Sequence, residues 1–422
     1  MAGLWHLGVM YSVGFAELGH EVFAYDDKHS NVESLSSGNL IVHEPRLIEF
    51  LKSNQKAGRL HFSSEKNALE DIELFILAYD TPVDNDDNSD PEFVLERFRN
   101  ICPYLPDKVT VMVSSQLPVG SCDLIHQVLK DNNNSGDVVI QPENLRLGRA
   151  VESFFNPGRL IVGTNNGLPN EVVLKAFQGI PAPINWVHSR SAEIIKHSLN
   201  SFLAMCVSYM GEISEICELV GADAKEVEAG LKSDERIGFK AYLSPGLGFA
   251  GGTLARDVRT LQDLQSEIRP NATIIKSLII SNNHNNRWIN RKLSLINDAQ
   301  TVSKVCFWGV SYVKNTNTLR RSEIYNLMLE LTAGGTSVCF LEDFQIVEKL
   351  DHKIHEMTSA GESLSNVDVL VVSKKLKKTE GVNLTEVIQL NPRIWILDPS
   401  RVLLESEPKL MKNTRYLTVG KG

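Results

Sequence analysis

The sequence predicts an α/β protein in which two doubly wound sheet domains are joined by a segment built on one long helix. Runs typical of β-strands alternate with helical runs along the first part of the 422-residue chain. One helical segment, 191–220, contains no Pro and no Gly except Gly211. β-type runs resume beyond residue 302. We therefore expect domains over residues 1–187, 188–295 and 296–422.

The β-type runs define the two expected sheets. They cover 20–26, 73–82, 108–118, 136–144 and 159–166 in the first domain, and 303–310, 337–343, 366–373 and 393–400 in the last. Strands that alternate with helices are typical of a parallel sheet with helices on both faces. The long helix is apolar on several sides, which favours a position between domains or subunits, so it is our candidate spine for a homodimer.

Composition argues against several classes of protein. Hydrophobic residues make up 42% of the chain and charged residues 23%, and no apolar run approaches the roughly 18 residues that a membrane span needs. The net charge of -9 argues against a nucleic-acid-binding surface. The six cysteines lack C-x-x-C spacing, so we expect reduced core residues and no metal site. No secretory signal is recognisable, and we expect a cytoplasmic protein.

The opening stretch "GLWHLG" has the spacing of a dinucleotide-binding glycine loop. Gly3 and Gly8 fill the outer glycine positions, whereas Trp5 replaces the middle glycine. Trp5 can be accommodated there if its ring points away from the pyrophosphate and its φ stays negative, at the cost of a looser cradle. The next β-type run ends at Asp26, where a carboxylate suits the ribose 2′-hydroxyl and favours NAD over NADP. We therefore expect Gly3, Trp5, Leu7, Gly8 and Asp26 to bind NAD.

Only two residues precede this loop, where the pattern requires a short strand. Either the central strand is shortened, or the sequence begins inside a longer natural chain. A glycine loop with this substitution is weak evidence for a cofactor, so the remainder of the chain must supply support.

Seven further stretches supply it: "SLSSGNLIVHEPRLIEFL", "AGRLHFSSE", "VSSQLPVGS", "QPENLRLGRAVESFFNPGRLIVG", "SAEIIKHSLNSFLA", "ERIGFKAYLSPGLGFAGGTLARDVRTL" and "GVSYVKNTNTLRRSE". In order and spacing they resemble the UDP-glucose/GDP-mannose dehydrogenase family of NAD-dependent nucleotide-sugar oxidoreductases. The resemblance implies a Rossmann-like NAD domain, a central long-helix dimerisation domain and a C-terminal α/β domain that binds the nucleotide sugar.

Members of that family oxidise a sugar alcohol to a carboxylate in two NAD-dependent steps, the second through a cysteine thioester. The resemblance implies a catalytic or substrate-orienting role for Lys196 and Asn200, which lie one helical turn apart. It assigns Glu143 to water or thioester chemistry, and Asp257 to the aspartate four residues after the nucleophile. Thr253 stands where the family has its cysteine.

The missing cysteine changes the expected reaction. A threonine hydroxyl is not appreciably ionised without a dedicated base, so the covalent second oxidation should fail. Gln116, which we place in the cofactor site, replaces the threonine of the family's S-T-V-P-V-G stretch and alters the same half-reaction. We expect a two-electron oxidation that gives an aldehyde or keto sugar.

The resemblance also implies a set of substrate contacts. Arg236 matches an arginine that reaches the nucleotide sugar across the dimer, and Gly248 lies in the loop "GLGFAGG". Lys314, Arg320 and Arg401 fall near family contacts to the nucleotide sugar, with ordinary surface charge as the alternative.

Two other functions remain open at this point. One is a redox-neutral epimerase that keeps NAD bound. The other is a non-catalytic homologue that binds a sugar nucleotide while its redox site has decayed.

Overall fold

The computed structural model describes residues 1–82, 89–142, 145, 148–249, 252–271, 273–311, 319, 322–346, 349–391, 393–403, 410 and 414–422. The chain divides into two compact units, Met1–Ser198 and Leu199–Gly422. Their boundary falls within the longest described helix, Ser189–Val220, which confirms the helix expected over 191–220. The three domain ranges stay a prediction.

A mostly parallel sheet forms the centre of the first unit. Its strands are β1 (Val22–Tyr25), β2 (Leu60–Ser63), β3 (Leu74–Leu77), β4 (Thr110–Val113), β5 (Val138–Ile140), β6 (Leu160–Thr164) and β7 (Ile184–His188). Strands β3 to β7 lie in chain order, and β1 pairs with β2. The pairs are parallel except β5 with β6, which are antiparallel. The five predicted runs are confirmed as strands, and β2 and β7 are additional.

Ala2 joins the β1–β2 pair to the other five strands. It forms parallel bridges to Tyr25 on one side and Leu77 on the other. Its N–H donates to the Ile76 carbonyl at 2.9 Å, and its carbonyl accepts from the Ala78 N–H at 2.8 Å. The strand order is therefore β2, β1, Ala2, β3, β4, β5. The glycine loop leaves this doubly wound sheet at its centre, where ligands of such sheets bind.

Helices surround the strands of the first unit. They are α1 (His6–Glu17), α2 (His29–Ser36), α3 (Leu47–Lys56), α4 (Pro91–Ile101), α5 (Ser121–Asp131), α6 (Ala150–Phe155), α7 (Glu171–Ala176) and the start of α8 (Ser189–Val220), with 3-10 turns at Lys66–Leu69 and Cys102–Tyr104. Gly14 of α1 lies so close to Phe154 of α6 that a Cβ atom would be 2.5 Å from the ring. This contact fixes α1, the helix that follows the glycine loop, against α6.

The second unit contains an all-parallel sheet. Its strands are β8 (Lys304–Trp308), β9 (Ser337–Leu341), β10 (Ile354–Glu356), β11 (Val369–Val372), β12 (Trp395–Asp398) and β13 (Tyr416–Thr418). Their order, β10-β9-β8-β11-β12-β13, reverses direction between β8 and β11. This order confirms the second doubly wound sheet. Strands β10 and β13 are additional to the four predicted runs.

The second unit also holds the remainder of α8 and further helices. These are α9 (Ala224–Ser233), α10 (Gly252–Ile268), α11 (Ile274–Asn286), α12 (Trp288–Ala299), α13 (Glu323–Ala333), α14 (Ala360–Ser363) and α15 (Leu384–Leu390), with a 3-10 turn at Lys377–Thr379. Within the described part of the chain, none of the helices could span a lipid bilayer. The same described residues contain no group of three or more His, Cys, Asp or Glu side chains that is placed to hold a metal ion.

Candidate functional site

The two outer glycines of the first loop are required by close contacts. Gly3 has a φ of +94°, and a Cβ atom on it would lie 2.6 Å from the Tyr79 backbone. A Cβ atom on Gly8 would lie 1.7 Å from the Gly3 carbonyl oxygen. No larger residue fits either position without movement of the backbone, so this loop has the tight turn that a dinucleotide requires.

Trp5 replaces the middle glycine without backbone strain. Its φ is -101° and its ψ is -160°, in the extended region, as its accommodation requires. The residue is 43% exposed and precedes α1, to which it gives no side-chain cap. Leu7, by contrast, packs partly against the core. Because the first N–H groups of a helix have no acceptor within it, this helix start fits the pyrophosphate of NAD.

Asp26, the residue predicted to bind the ribose, also bonds to the backbone of the glycine loop. It is only 5% exposed. Its carboxylate accepts hydrogen bonds from the N–H of Leu4 at 2.6 Å and from the N–H of Lys28 at 2.8 Å. The contact with ribose stays a prediction. The glycine spacing pointed to this residue, but not to its bond with the loop.

Glu44 is a buried carboxylate that the sequence analysis does not single out. It accepts hydrogen bonds from the His6 ring at 3.1 Å, from the N–H of Gly148 at 2.9 Å and from the N–H of Ala150 at 2.7 Å. Burial opposes its ionisation, but these three donors lower the pKa of Glu44. The only sequence signal was its place in the matching stretch "IVHEPRL".

A cavity lies beyond the end of β4 in the first unit. It is small, with a volume of about 20 Å³, and is lined by Ser114, Ser115, Gln116, Leu117, Ile140, Pro142, Glu193, Lys196 and His197. Two predicted site residues, Gln116 and Lys196, therefore line one cavity. The Gln116 carbonyl accepts from the Thr81 hydroxyl at 2.6 Å, which ties this segment to the one that follows β3.

Two other residues of α8 fix the segment that follows Gln116. Glu193 accepts from the N–H groups of Gly120 at 2.7 Å and Cys122 at 3.1 Å, at the start of α5. His197 lies one turn further along α8 and contacts the Leu117 carbonyl at 3.3 Å. Since a carbonyl only accepts, the His197 ring is the donor. The helix that carries Lys196 is thereby anchored to the strand end that carries Gln116.

The second unit brings two other predicted residues together, and a third lies one turn away on α10. Asn200 of α8 donates a hydrogen bond to the Asp257 carboxylate, and both side chains are buried. Thr253 is the second residue of α10 and is exposed. It lies four residues, about one helical turn, before Asp257. Their catalytic roles stay predictions.

Gly248 is required by its contact with α11. A Cβ atom there would lie 2.3 Å from the Asn282 side-chain oxygen. Asn282 accepts from the N–H of Phe249 at 2.7 Å and donates to the Phe249 carbonyl at 3.0 Å. The backbone of this loop is thus bonded to α11. The role of the loop in substrate binding stays a prediction.

The remaining predicted substrate residues differ in their surroundings. The Arg236 side chain is 89% exposed and pairs with Asp234 at 2.7 Å. The Arg401 side chain is only 6% exposed and pairs with Asp223 at 2.7 Å, so it is not an ordinary surface charge. The contact of each residue with substrate stays a prediction. Glu143, Lys314 and Arg320 lie outside the described residues.

Comparison with known proteins covers most of the chain. The model of the UDP-glucose/GDP-mannose dehydrogenase family NAD-binding domain matches residues 1–180, and the model of that family's central domain matches residues 190–284. The UDP-glucose 6-dehydrogenase of Rhizobium meliloti (strain 1021) is 28% identical over 388 residues, or 88% of each chain. The UDP-glucose 6-dehydrogenase of Rickettsia typhi is 27% identical and covers 99% of this chain and 98% of its own.

Solved structures agree with these matches. The structure of a UDP-glucose dehydrogenase from the hyperthermophilic archaeon Pyrobaculum islandicum has a TM-score of 0.87 and 25% identity, and the match covers 100% of this chain and 97% of that one. A UDP-D-ManNAc dehydrogenase from Pyrococcus horikoshii, at 17% identity, shares the fold with a TM-score of 0.83 over 100% of this chain and 98% of its own.

Proposed function

The chain belongs to the UDP-glucose/GDP-mannose dehydrogenase family, and from this premise we propose that it oxidises one hydroxyl-bearing carbon of a nucleotide sugar and stops after two electrons. The carbon loses a hydride and its hydroxyl loses a proton, which leaves an aldehyde or keto sugar. The names of the relatives favour a UDP-linked sugar. The limit to one oxidation step rests on Thr253, which lies in the first turn of α10.

The residues that line the cavity support the first oxidation. NAD, when bound, supplies the hydride acceptor. Lys196 lines the cavity with Gln116, and an ammonium group beside the reacting oxygen stabilises the negative charge that develops as the proton leaves. Asn200 is held by its bond to Asp257, which gives its amide a fixed direction.

The second oxidation lacks its nucleophile. The Thr253 hydroxyl ionises far above neutral pH, and its neighbour Asp257 is buried and bonded to Asn200. All six cysteines of the chain are buried and none is in a disulfide. Burial raises the pKa of Cys102 to about 11 and also raises that of Cys206. These buried thiols support both the proposed limit and a reducing, cytoplasmic location.

The test is the number of NADH molecules formed per sugar consumed. The protein is incubated with NAD and a panel of nucleotide sugars, with hydroxylamine present to trap carbonyl products. We expect one NADH per sugar and an oxime in the mass spectrum. Two NADH per sugar and a uronic acid would contradict the proposal.

A second candidate is a protein that binds the nucleotide sugar without turning it over. Trp5 favours it, because this bulky residue replaces the glycine that normally lets the backbone approach the pyrophosphate. Calorimetric titration separates the two functions. A pure binder takes up a UDP-sugar but not NAD, whereas the oxidoreductase takes up both.

We also propose that the protein is a homodimer formed along α8. Phe202, Tyr209 and Ile216, seven residues apart, are 57%, 48% and 54% exposed in the single chain. A stripe of apolar side chains at this spacing lies on one face of a helix, where it can pack on a partner helix. We expect a dimer in sedimentation and a monomer for Tyr209→Glu. A monomeric wild-type chain would contradict this.

A further inference from the structure

Glu44 connects two segments of the first unit that are far apart in sequence. Its side chain is 0% exposed. One carboxylate oxygen accepts from both the His6 ring and the N–H of Gly148, and the other accepts from the N–H of Ala150. His6 is the first residue of α1, and Ala150 is the first residue of α6. A single buried group therefore joins the start of α1 to residues 148–150.

The charge on Glu44 fixes the proton of His6. Burial opposes ionisation, but the three donors lower the pKa of Glu44, so the group is a carboxylate at neutral pH. A carboxylate can only accept, so Nε2 of His6 must carry the hydrogen of this bond. The ring is thereby held in one tautomer and one direction.

The position of His6 makes this contact relevant to the cofactor. Its backbone N–H belongs to the first turn of α1, whose N–H groups fit the pyrophosphate of NAD. The His6 ring and Gly148 share one oxygen of Glu44. A small displacement of this turn on NAD binding would therefore change the hydrogen bonds of residues 148–150 as well.

We propose that Glu44 is a positioning residue of the cofactor site, which stabilises the loop for NAD through His6 and transmits NAD binding to residues 148–150. The proposal rests on NAD binding and is independent of sugar oxidation. The number of electrons removed from the sugar therefore does not affect it.

The first measurement is the Kd of NAD by calorimetry. Glu44→Gln keeps the size of the side chain but removes its charge, and His6→Leu removes only the ring donor. We expect each variant to raise the Kd about tenfold, the cost of one charge-assisted hydrogen bond. His6→Gln, which retains an N–H donor, should recover much of the affinity.

Two matched variants serve as controls. His20 also contacts a backbone carbonyl, that of Ala176 at 2.9 Å, and Glu17 accepts from Asn54 at 2.7 Å. Neither contact reaches the glycine loop. His20→Leu and Glu17→Gln should leave the Kd of NAD unchanged, which separates the proposed role from a general loss of stability.

The second measurement is hydrogen exchange of the peptide that covers residues 148–155, with and without NAD. In the wild type we expect NAD to slow exchange at Ala150 several-fold, and in His6→Leu at saturating NAD we expect this protection to be lost. Thermal unfolding verifies that each variant is folded, and His6→Leu alone suffices if Glu44→Gln does not fold. An unchanged Kd in His6→Leu, or full protection by NAD in that variant, would overturn the proposal.

Discussion

Two acidic residues hold the loops that leave the centres of the two sheets. Asp26 follows β1 and accepts from the N–H of Leu4 at 2.6 Å. Glu342 follows β9 and accepts from the N–H groups of Val310 at 2.9 Å and Ser311 at 3.0 Å. Strand β1 lies next to the central Ala2 bridge of the first sheet, and β9 lies next to β8 of the second. In both sheets, therefore, a carboxylate directly after the neighbouring strand holds the loop that leaves the centre. Only Asp26 was predictable, because only the first loop carries a glycine spacing.

Glu44 leads to a prediction about stability against pH. Its pKa is lowered from 4.5 in the folded protein, so its contribution is fully present above that pH and is lost as the pH falls through the folded pKa. Glu44→Gln should cost about 2 kcal/mol of unfolding free energy at pH 7, the cost of unmatched buried polar groups. Urea titrations at pH 7 and at acid pH give the difference between wild type and variant.

We expect this difference to shrink as the solution is acidified, because the wild-type carboxyl then takes up a proton as well. Glu17→Gln, whose side chain is exposed, is the control and should show little change at either pH. A difference that is as large in acid as at pH 7 would show that the charge of Glu44 does not stabilise the fold.

Helix α8 contributes differently in its two parts. In its first turns, Glu193 and His197 bond to the segment that ends in the start of α5, which places Lys196 at the cavity. Further along, Asn200 bonds to Asp257 of α10. The four-residue spacing of Lys196 and Asn200 was readable from the sequence because helical periodicity is local. The partners of Glu193 and His197 were not, because they lie more than 70 residues away.

The same limit applies to the strands. Runs rich in β-branched and aromatic residues predicted the central strands of both sheets. Strands β2, β7 and β10 were missed because each is only partly buried, and β13 was missed because it has only three residues. The role of Ala2 depends on β1 and β3 coming together around it, and no local pattern could show that. Arg401 was placed by motif order alone, and its buried bond to Asp223 follows from the packing of the folded chain.

At the scale of the whole chain, the fold is that of the nucleotide-sugar dehydrogenases, and we propose that this chain has lost one nucleophile of the family's reaction. Gly3 and Gly8 keep the contacts that a dinucleotide loop needs, and Lys196 keeps its place at the cavity. In the proposed reaction the covalent step fails because Thr253 stands where the resemblance places a cysteine. Under this proposal the protein releases a carbonyl sugar, which a reaction that acts on carbonyl groups would consume.

The most direct test compares wild type, Thr253→Ser and Thr253→Cys by NADH formed per nucleotide sugar consumed. We predict one NADH for the wild type and for Thr253→Ser, which keeps a hydroxyl. Thr253→Cys supplies a thiolate that can capture the aldehyde, so its ratio should rise toward two with a uronic acid as product. A ratio of two and a uronic acid from the wild-type protein would contradict the account.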